Sequence, residues 1–427
     1  MADKLHLFIP YPGYHPQWLP SSTNYFPSLF HGTSSSLVLL GLQQLLLVFA
    51  LGFTRKDSML RAGLFAPMLT LCLTGLSIYR EHLVTSSAIL MVCVPLGATS
   101  QILQYISVVL VKRWSFEDRA TLFPSMATSQ KPSCLDRLIF GLFAAFSYRN
   151  CGTSYEVGGV TQFKDKKTPT RSDFLLRTAK VVAISWLVMD TVSYLSGTDE
   201  NPAFAESREP LLSRLGEVTA AELFERAAVV SLLYASNMAL LIIGFGVVSI
   251  ISVGTGLSDP SRWKPTFNFG HGFPYSVRRF WSHLWHVSMK DRIYTPSKFI
   301  VDDVLGLPKG SPLRRYALIW LTFVASGVFH VVAEVGAGVP FPEDGSFFFY
   351  TAQAAVIMAE DFVSHLWHRN AAEKQATPAW ELWVGRVWTF SWMVWVTPGW
   401  FYPMQRLTAG IPILPFSPVK AFVSMVS

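Results

Sequence analysis

Apolar residues follow one another in long runs along this chain, without the strict alternation of half-buried strands. A helix needs about 20 apolar residues to cross a bilayer. Runs of that kind occupy roughly residues 36–53, 62–79, 83–111, 174–195, 229–253, 316–338, 347–366 and 384–404. They predict an all-α polytopic membrane protein with about eight transmembrane helices, between seven and nine. Two apolar stretches fit less well. Leu135–Phe146 is short and reads as a re-entrant or interfacial helix, and Ile411–Val426 is interrupted by Pro412, Pro415 and Pro418. Residues 1–35 lack the basic start and apolar core of a signal peptide and carry Pro10, Pro12, Pro16, Pro20 and Pro27 among aromatic residues. They read as an irregular interfacial segment ahead of a single transmembrane domain, 36–427.

The polar residues between the runs carry their own pattern. The loop from Lys112 to Asp173 holds ten Lys and Arg, and the loop from Gly254 to Arg315 holds another ten. The loop from Ser196 to Ala228 holds seven acids against three arginines, and the 339–346 turn holds Glu343 and Asp344 with no base. Basic and acidic loops therefore alternate, as eight crossings require. The positive-inside rule places the basic loops in the cytosol and both termini in the lumen, here that of the endoplasmic reticulum.

Composition agrees with this pattern. Half of the chain, 51%, is hydrophobic, 14% is aromatic and only 15% is charged, against about 25% charge in soluble domains. That balance excludes a disordered chain and a disulfide-rich secreted domain, and it argues against a soluble enzyme. The net charge of +7 belongs to the cytosolic loops, so it gives no reason to expect nucleic acid. The cysteines Cys72, Cys93, Cys134 and Cys151 form no CxxC pair and suggest neither zinc nor a disulfide framework.

Three places could carry chemistry. The first is Trp263–Gly270 followed by Ser276–His286, at a membrane face. Arg278 and Arg279, with Lys290 nearby, could attract a phosphate-bearing cosubstrate. Phe280, Trp281 and Trp285 form an apolar flank if the segment is helical, with His283 and His286 sharing a face. The same features would equally make an amphipathic helix with aromatic anchors. The second is His330, about 14 residues into its span and so roughly 20 Å from the cytosolic end. An ionisable group at that depth is a functional hypothesis by default. Ser326 at i−4 and Glu334 at i+4 share its face, and Gly327 lets a neighbour approach closely. His330 could take a proton from a hydroxyl, or it could hydrogen-bond between helices as packing. The third is Glu360-Asp361 inside the next run, which could orient a histidine or arginine or act as a polar brace. No HH doublet, HExxH, GxSxG, P-loop or DDxxD is present. A non-catalytic transporter or receptor remains open on these residues alone, although paired broken helices are not evident.

Taken in order, the P-x-F-x-x-G approach, S-x-x-x-FW-x-x-x-WH ending at His286, S-G-x-x-H ending at His330, and ED in the next span resemble the wax synthase-like branch of the membrane-bound O-acyltransferases, in particular its fungal members. The motif region spans about 254–366. Upstream, Phe146–Tyr155 looks like the family's RGxGTxW-type segment. The resemblance implies an O-acyltransferase bundle with an intramembrane reaction chamber, no permanently bound cofactor, and no metal. It implies transfer from an acyl-CoA to a lipophilic alcohol. His330 maps onto the family's intramembrane base. The second polar position, often Asn in the family, is His286 here. Trp281, Trp285, Ser326, Glu334, Glu360 and Asp361 would support the site, and Arg278, Arg279 and Lys290 would meet the phosphates of CoA. Fungal relatives of this length point to acetyl-CoA and a terpenoid or polyketide hydroxyl, with long-chain wax ester synthesis as the alternative.

Overall fold

The apolar runs become helices. The structure, a computed structural model, describes residues 33–81, 87–123, 132–196, 201–268, 270, 272–285, 287–341, 343–368, 377–411, 413–414 and 416–426. Most of the predicted N-terminal interfacial segment lies outside the described residues, and so does His286. The longer helices are α1 (Thr33–Phe53), α2 (Phe65–Glu81), α3 (Ala88–Gln104), α4 (Cys134–Phe146), α5 (Arg171–Ser196), α6 (Ala220–Gly254), α7 (Lys290–Phe299), α8 (Pro312–Gly336), α9 (Ser346–Trp367), α10 (Ala379–Val396), α11 (Pro398–Leu407) and α12 (Pro418–Val426). Among the described residues there is no strand.

Five stretches among the described residues are long and apolar enough to cross a membrane: Ser35–Phe53, Leu60–Glu81, Ala88–Val111, Ala220–Gly254 and Pro312–Gly336. Each coincides with a predicted run. The runs 174–195 and 347–366 fall on α5 and α9. The run 384–404 is divided: α10 stops at Val396, and Pro398 opens α11. Proline lacks the N–H that would continue α10 but suits the first turn of a new helix. The short run at 135–146 is a helix of its own, α4, capped by a reciprocal Ser133–Asp136 box.

Large apolar side chains point outward, as lipid permits and water does not. Ile184, Leu187 and Leu195 on α5 are exposed, and so are Phe362, Val363 and Leu366 on α9. Polar side chains turn inward. Gln43 is fully buried and donates to Ala98 O at 3.0 Å, and buried Asp190 accepts from Val419 N at 2.8 Å, at the start of α12. Successive helices pack as the hairpins α5–α6 and α8–α9, while α1 lies against α2 and α4.

The loops separate by sign. The two basic loops touch each other: Lys112 pairs with Asp291, Asn150 Nδ2 donates to Asp291 at 3.0 Å, and Lys264 bonds Glu156 at 2.7 Å. The acidic loops meet at the other end of α8, where Arg406 pairs with Glu209 at 2.6 Å. Burial raises the Glu209 carboxyl above its usual range; Arg406 opposes this, and Glu206 and Glu343 add to it.

Candidate active site

α8 runs between the two ends and carries His330 nearer the acidic one. Arg315, at the basic end, is 15 residues earlier, so about 22 Å separates it from His330 along the helix. The His330 side chain is 19% exposed and lies against three aromatic rings. Its ring stacks on Tyr350 with centroids 4.4 Å apart, and its edge meets Trp400 at 5.5 Å and Phe329 at 4.8 Å. The Tyr350 hydroxyl lies 2.7 Å from His330 Nε2. Glu334 Oε1 lies 3.7 Å from Nδ1 on the opposite side.

The carboxylate of Glu334 is itself fixed. Trp400 Nε1 donates to Oε1 at 2.6 Å and Ser346 Oγ donates to Oε2 at 3.0 Å. Ser346 has a single hydroxyl hydrogen, shared between Glu334 and Asp344 Oδ1 at 2.6 Å. The indole donor anchors the Glu334 carboxyl group in one orientation, and it faces the imidazole. The pair therefore suits the tautomer with hydrogen on Nδ1 toward Glu334 and the Nε2 lone pair toward Tyr350. Gly327 makes the approach of α9 possible: a Cβ there would come within 3.2 Å of Phe347 Cα. Ser326 lies one turn before His330 and is half-buried.

A second layer starts at the short helix Val277–Arg279, which continues as a π turn, Phe280–Leu284. Trp281 packs against Tyr350 at 5.8 Å and Phe323 at 5.8 Å. Fully buried Gln353 accepts from Trp281 Nε1 at 3.2 Å and from Trp392 Nε1 at 3.0 Å. The helix does not extend to Trp285 as the flank of Phe280, Trp281 and Trp285 assumed. Trp285 is extended, although its ring still stacks on Phe280 at 5.9 Å.

Glu360 and Asp361 serve this short helix. Glu360 accepts from Val277 N at 2.8 Å, from Arg278 N at 3.4 Å and from Trp388 Nε1 at 3.0 Å. Asp361 bonds both Arg278 at 2.5 Å and Arg315 at 2.7 Å. The acids brace the basic end and are remote from His330. Arg279 lies over the Tyr275 ring at 4.5 Å, and Lys290 Nζ donates to Gly158 O at 2.8 Å.

Comparison with known proteins shows the family. The family model for the membrane bound O-acyl transferase family matches residues 263–352, which include the π turn, His330 and Tyr350. The acetyltransferase aurG of Calcarisporium arbuscula is 30% identical over 84% of this chain and 90% of its own length. The chain belongs to the membrane bound O-acyl transferase family. The acetyltransferase fsoF of Humicola fuscoatra is 29% identical over 75% of this chain and 85% of its own, and the acetyltransferase ataH of Aspergillus terreus is 27% identical over 66% and 95%. No solved structure matches the chain.

In this membrane-bound acyltransferase, several residues around His330 and Glu334 are not singled out by the sequence: Tyr350, Trp400, Ser346 and, one layer out, Gln353. Gln353 alone had a readable signal, as an amide inside an apolar run. The Tyr148–Thr153 part of the RGxGTxW-like segment packs on the other basic loop. Arg149 donates to Lys264 O at 2.6 Å and Pro265 O at 2.7 Å. Arg292 lies 3.2 Å over the Tyr148 ring with its Nε on Gln104 at 2.8 Å, and burial pushes its guanidinium down to about 10.

Proposed function

We propose that this acyltransferase moves the acetyl group of acetyl-CoA onto a hydroxyl of a lipophilic terpenoid or polyketide metabolite. The observation that carries the reading is the His330–Glu334 pair, an imidazole 3.7 Å from an anchored carboxyl group deep in an apolar helix. Relatives named as acetyltransferases favour acetyl over a long acyl chain. In this reading the chain crosses the endoplasmic reticulum membrane about eight times, with the basic loops cytosolic. Acetyl-CoA approaches from that side, its phosphates toward Arg278, Arg279 and Lys290.

The alcohol takes the place of the Tyr350 hydroxyl at His330 Nε2. As its oxygen bonds to the thioester carbonyl carbon, its proton passes to Nε2, and Glu334 stabilises the imidazolium. His286 or a neighbouring donor meets the developing oxyanion. The C–S bond then breaks, and the thiolate of CoA takes the proton back from His330. The ester and free CoA leave, with no acyl-enzyme required.

Microsomes given radiolabelled acetyl-CoA and farnesol test the reading. The wild type forms labelled ester, with little product from palmitoyl-CoA. His330→Ala loses at least ~100-fold in turnover while expression and membrane insertion stay normal. Undiminished turnover in that variant would overturn the role of His330.

A further inference from the structure

Arg226 stands on α6, near its acidic-loop end, and is 3% exposed. A buried cation in a spanning helix is costly unless its donors are used. Its hydrogen bonds go to backbone carbonyls. Nε donates to Val394 O at 3.0 Å, and Nη2 to Trp395 O at 2.9 Å. Nη2 also donates to Glu209 O at 2.8 Å, and Nη1 donates to Arg208 O, both in the acidic loop. Val394 O is the carbonyl that an unbroken α10 would bond to the N–H of residue 398, and Pro398 has none. Arg226 therefore supplies the donor that the α10–α11 break removes. The ten-residue α11 is held at two further points. Tyr234, two turns along α6, has its hydroxyl 3.2 Å from Thr397 Oγ1 at the break. Arg406, near the end of α11, pairs with Glu209 at 2.6 Å and donates to Phe204 O at 2.8 Å. Trp400 lies between these holds.

We propose that Arg226 is a positioning residue for the reaction: by fixing the α10–α11 break it keeps the Trp400 indole on Glu334, and so keeps the Glu334 carboxyl group facing His330. The inference rests on the reading of His330 as the base and adds what aligns its partner. Two observations carry it. Trp400 Nε1 bonds Glu334 Oε1 at 2.6 Å, the same oxygen that lies 3.7 Å from His330 Nδ1. Trp400 is also only two residues beyond Pro398, so any change in the direction of α11 at the break displaces its ring. The residue type fits the task. A guanidinium spreads its donors over three nitrogens in a rigid plane and reaches α10 and the loop together, whereas the ammonium of a lysine offers one nitrogen.

The test is a double-mutant cycle on kcat, with the full chain in microsomes given radiolabelled acetyl-CoA and farnesol, and the amount of protein counted by immunoblot. Arg226→Lys and Trp400→Phe are each expected to lower kcat about tenfold, with the KM for acetyl-CoA within about twofold. The double variant should turn over within about twofold of Trp400→Phe alone, because both changes act through one contact. Multiplied losses, about a hundredfold in the double variant, overturn the inference. So does an unchanged kcat in Arg226→Lys, which would mean that the arginine serves folding alone. Should Arg226→Lys not accumulate in the membrane, Thr397→Val replaces it in the cycle, since it removes the Tyr234 bond to the break at nearly constant volume. Its expected fall in kcat, about threefold, vanishes in the Trp400→Phe background. An equal fall in both backgrounds, or none in either, overturns the inference. Undiminished turnover in His330→Ala, or a wild type that forms no ester, sinks the transfer reading. Turnover lost in His330→Ala but kept in Arg226→Lys sinks the role of Arg226 alone.

Discussion

A single imidazole in an apolar helix was legible because ionisable groups at membrane depth are costly and so stand out. Glu334 was legible for the same reason and because i+4 spacing puts it on the same face. Tyr350 was not. A tyrosine in an apolar run reads as packing, and only the fold brings it 2.7 Å from Nε2. Trp400, 66 positions from the carboxylate it bonds, was hidden likewise. Conversely, what holds Arg278 was not legible: it pairs with Asp361, a contact that long-range folding decides, and its side chain stays 36% exposed. Tyr350→Phe keeps the stacked ring and removes only the hydroxyl. A neutral hydrogen bond contributes roughly 0.5–1.5 kcal/mol net, and the alcohol must displace this one from Nε2, so its loss is expected to raise kcat by up to about tenfold. The KM for acetyl-CoA should stay within about twofold, since that contact lies on the acceptor side of the histidine. Steady-state kinetics on microsomes separate the two parameters. An unchanged kcat would show that the tyrosine merely fills space.

At the scale of elements, the runs gave the helices but not their seams. The division of 384–404 at Thr397-Pro398 was readable in principle, since proline rarely continues a helix. What could not be read is its purpose: the break turns α11 so that Trp400 reaches Glu334. That contact depends on how closely α9 and α11 meet. Gly345 precedes α9 at φ +59°, and a Cβ there would run into the backbone carbonyl of Gly399. No flexible side chain is available to yield, so either the turn or the start of α11 must move. Gly345→Ala is expected to cost at least ~2 kcal/mol, from left-handed strain and overlap together. Transfer should fall with it, because Ser346, Tyr350 and Trp400 lose their common register. Gly244→Ala, inside α6 with no atom within 4 Å of the added carbon, should be neutral or gain up to ~1 kcal/mol. Thermal unfolding in detergent, followed by tryptophan fluorescence, compares the two. Equal midpoints would mean that the α9–α11 contact is not tight in solution.

For the whole molecule, charge carried more information than any motif. Alternating basic and acidic loops predicted two opposite faces, and the fold gathers basic loop to basic loop through Asp291 and Lys264, and acidic loop to acidic loop around Glu209. Which face meets the cytosol follows only from the positive-inside rule, and it fixes the side from which a polyanionic cosubstrate would arrive. Two thiol positions can decide it. Cys134 is exposed in the first basic loop and Cys93 on the apolar helix α3, where lipid shields it from a polar reagent, while Cys72 and Cys151 are buried. Glu217, in the acidic loop, has a side chain 79% exposed. In sealed microsomes, a membrane-impermeant maleimide should label Cys134 at once, and Cys134→Ser should remove that labelling. Glu217→Cys in the Cys134→Ser background should react only after detergent opens the vesicles. The reverse pattern would place the basic loops in the lumen. Acetyl-CoA would then have to meet His330 from the acidic end, which sits closer to the histidine but offers the phosphates mainly carboxylates.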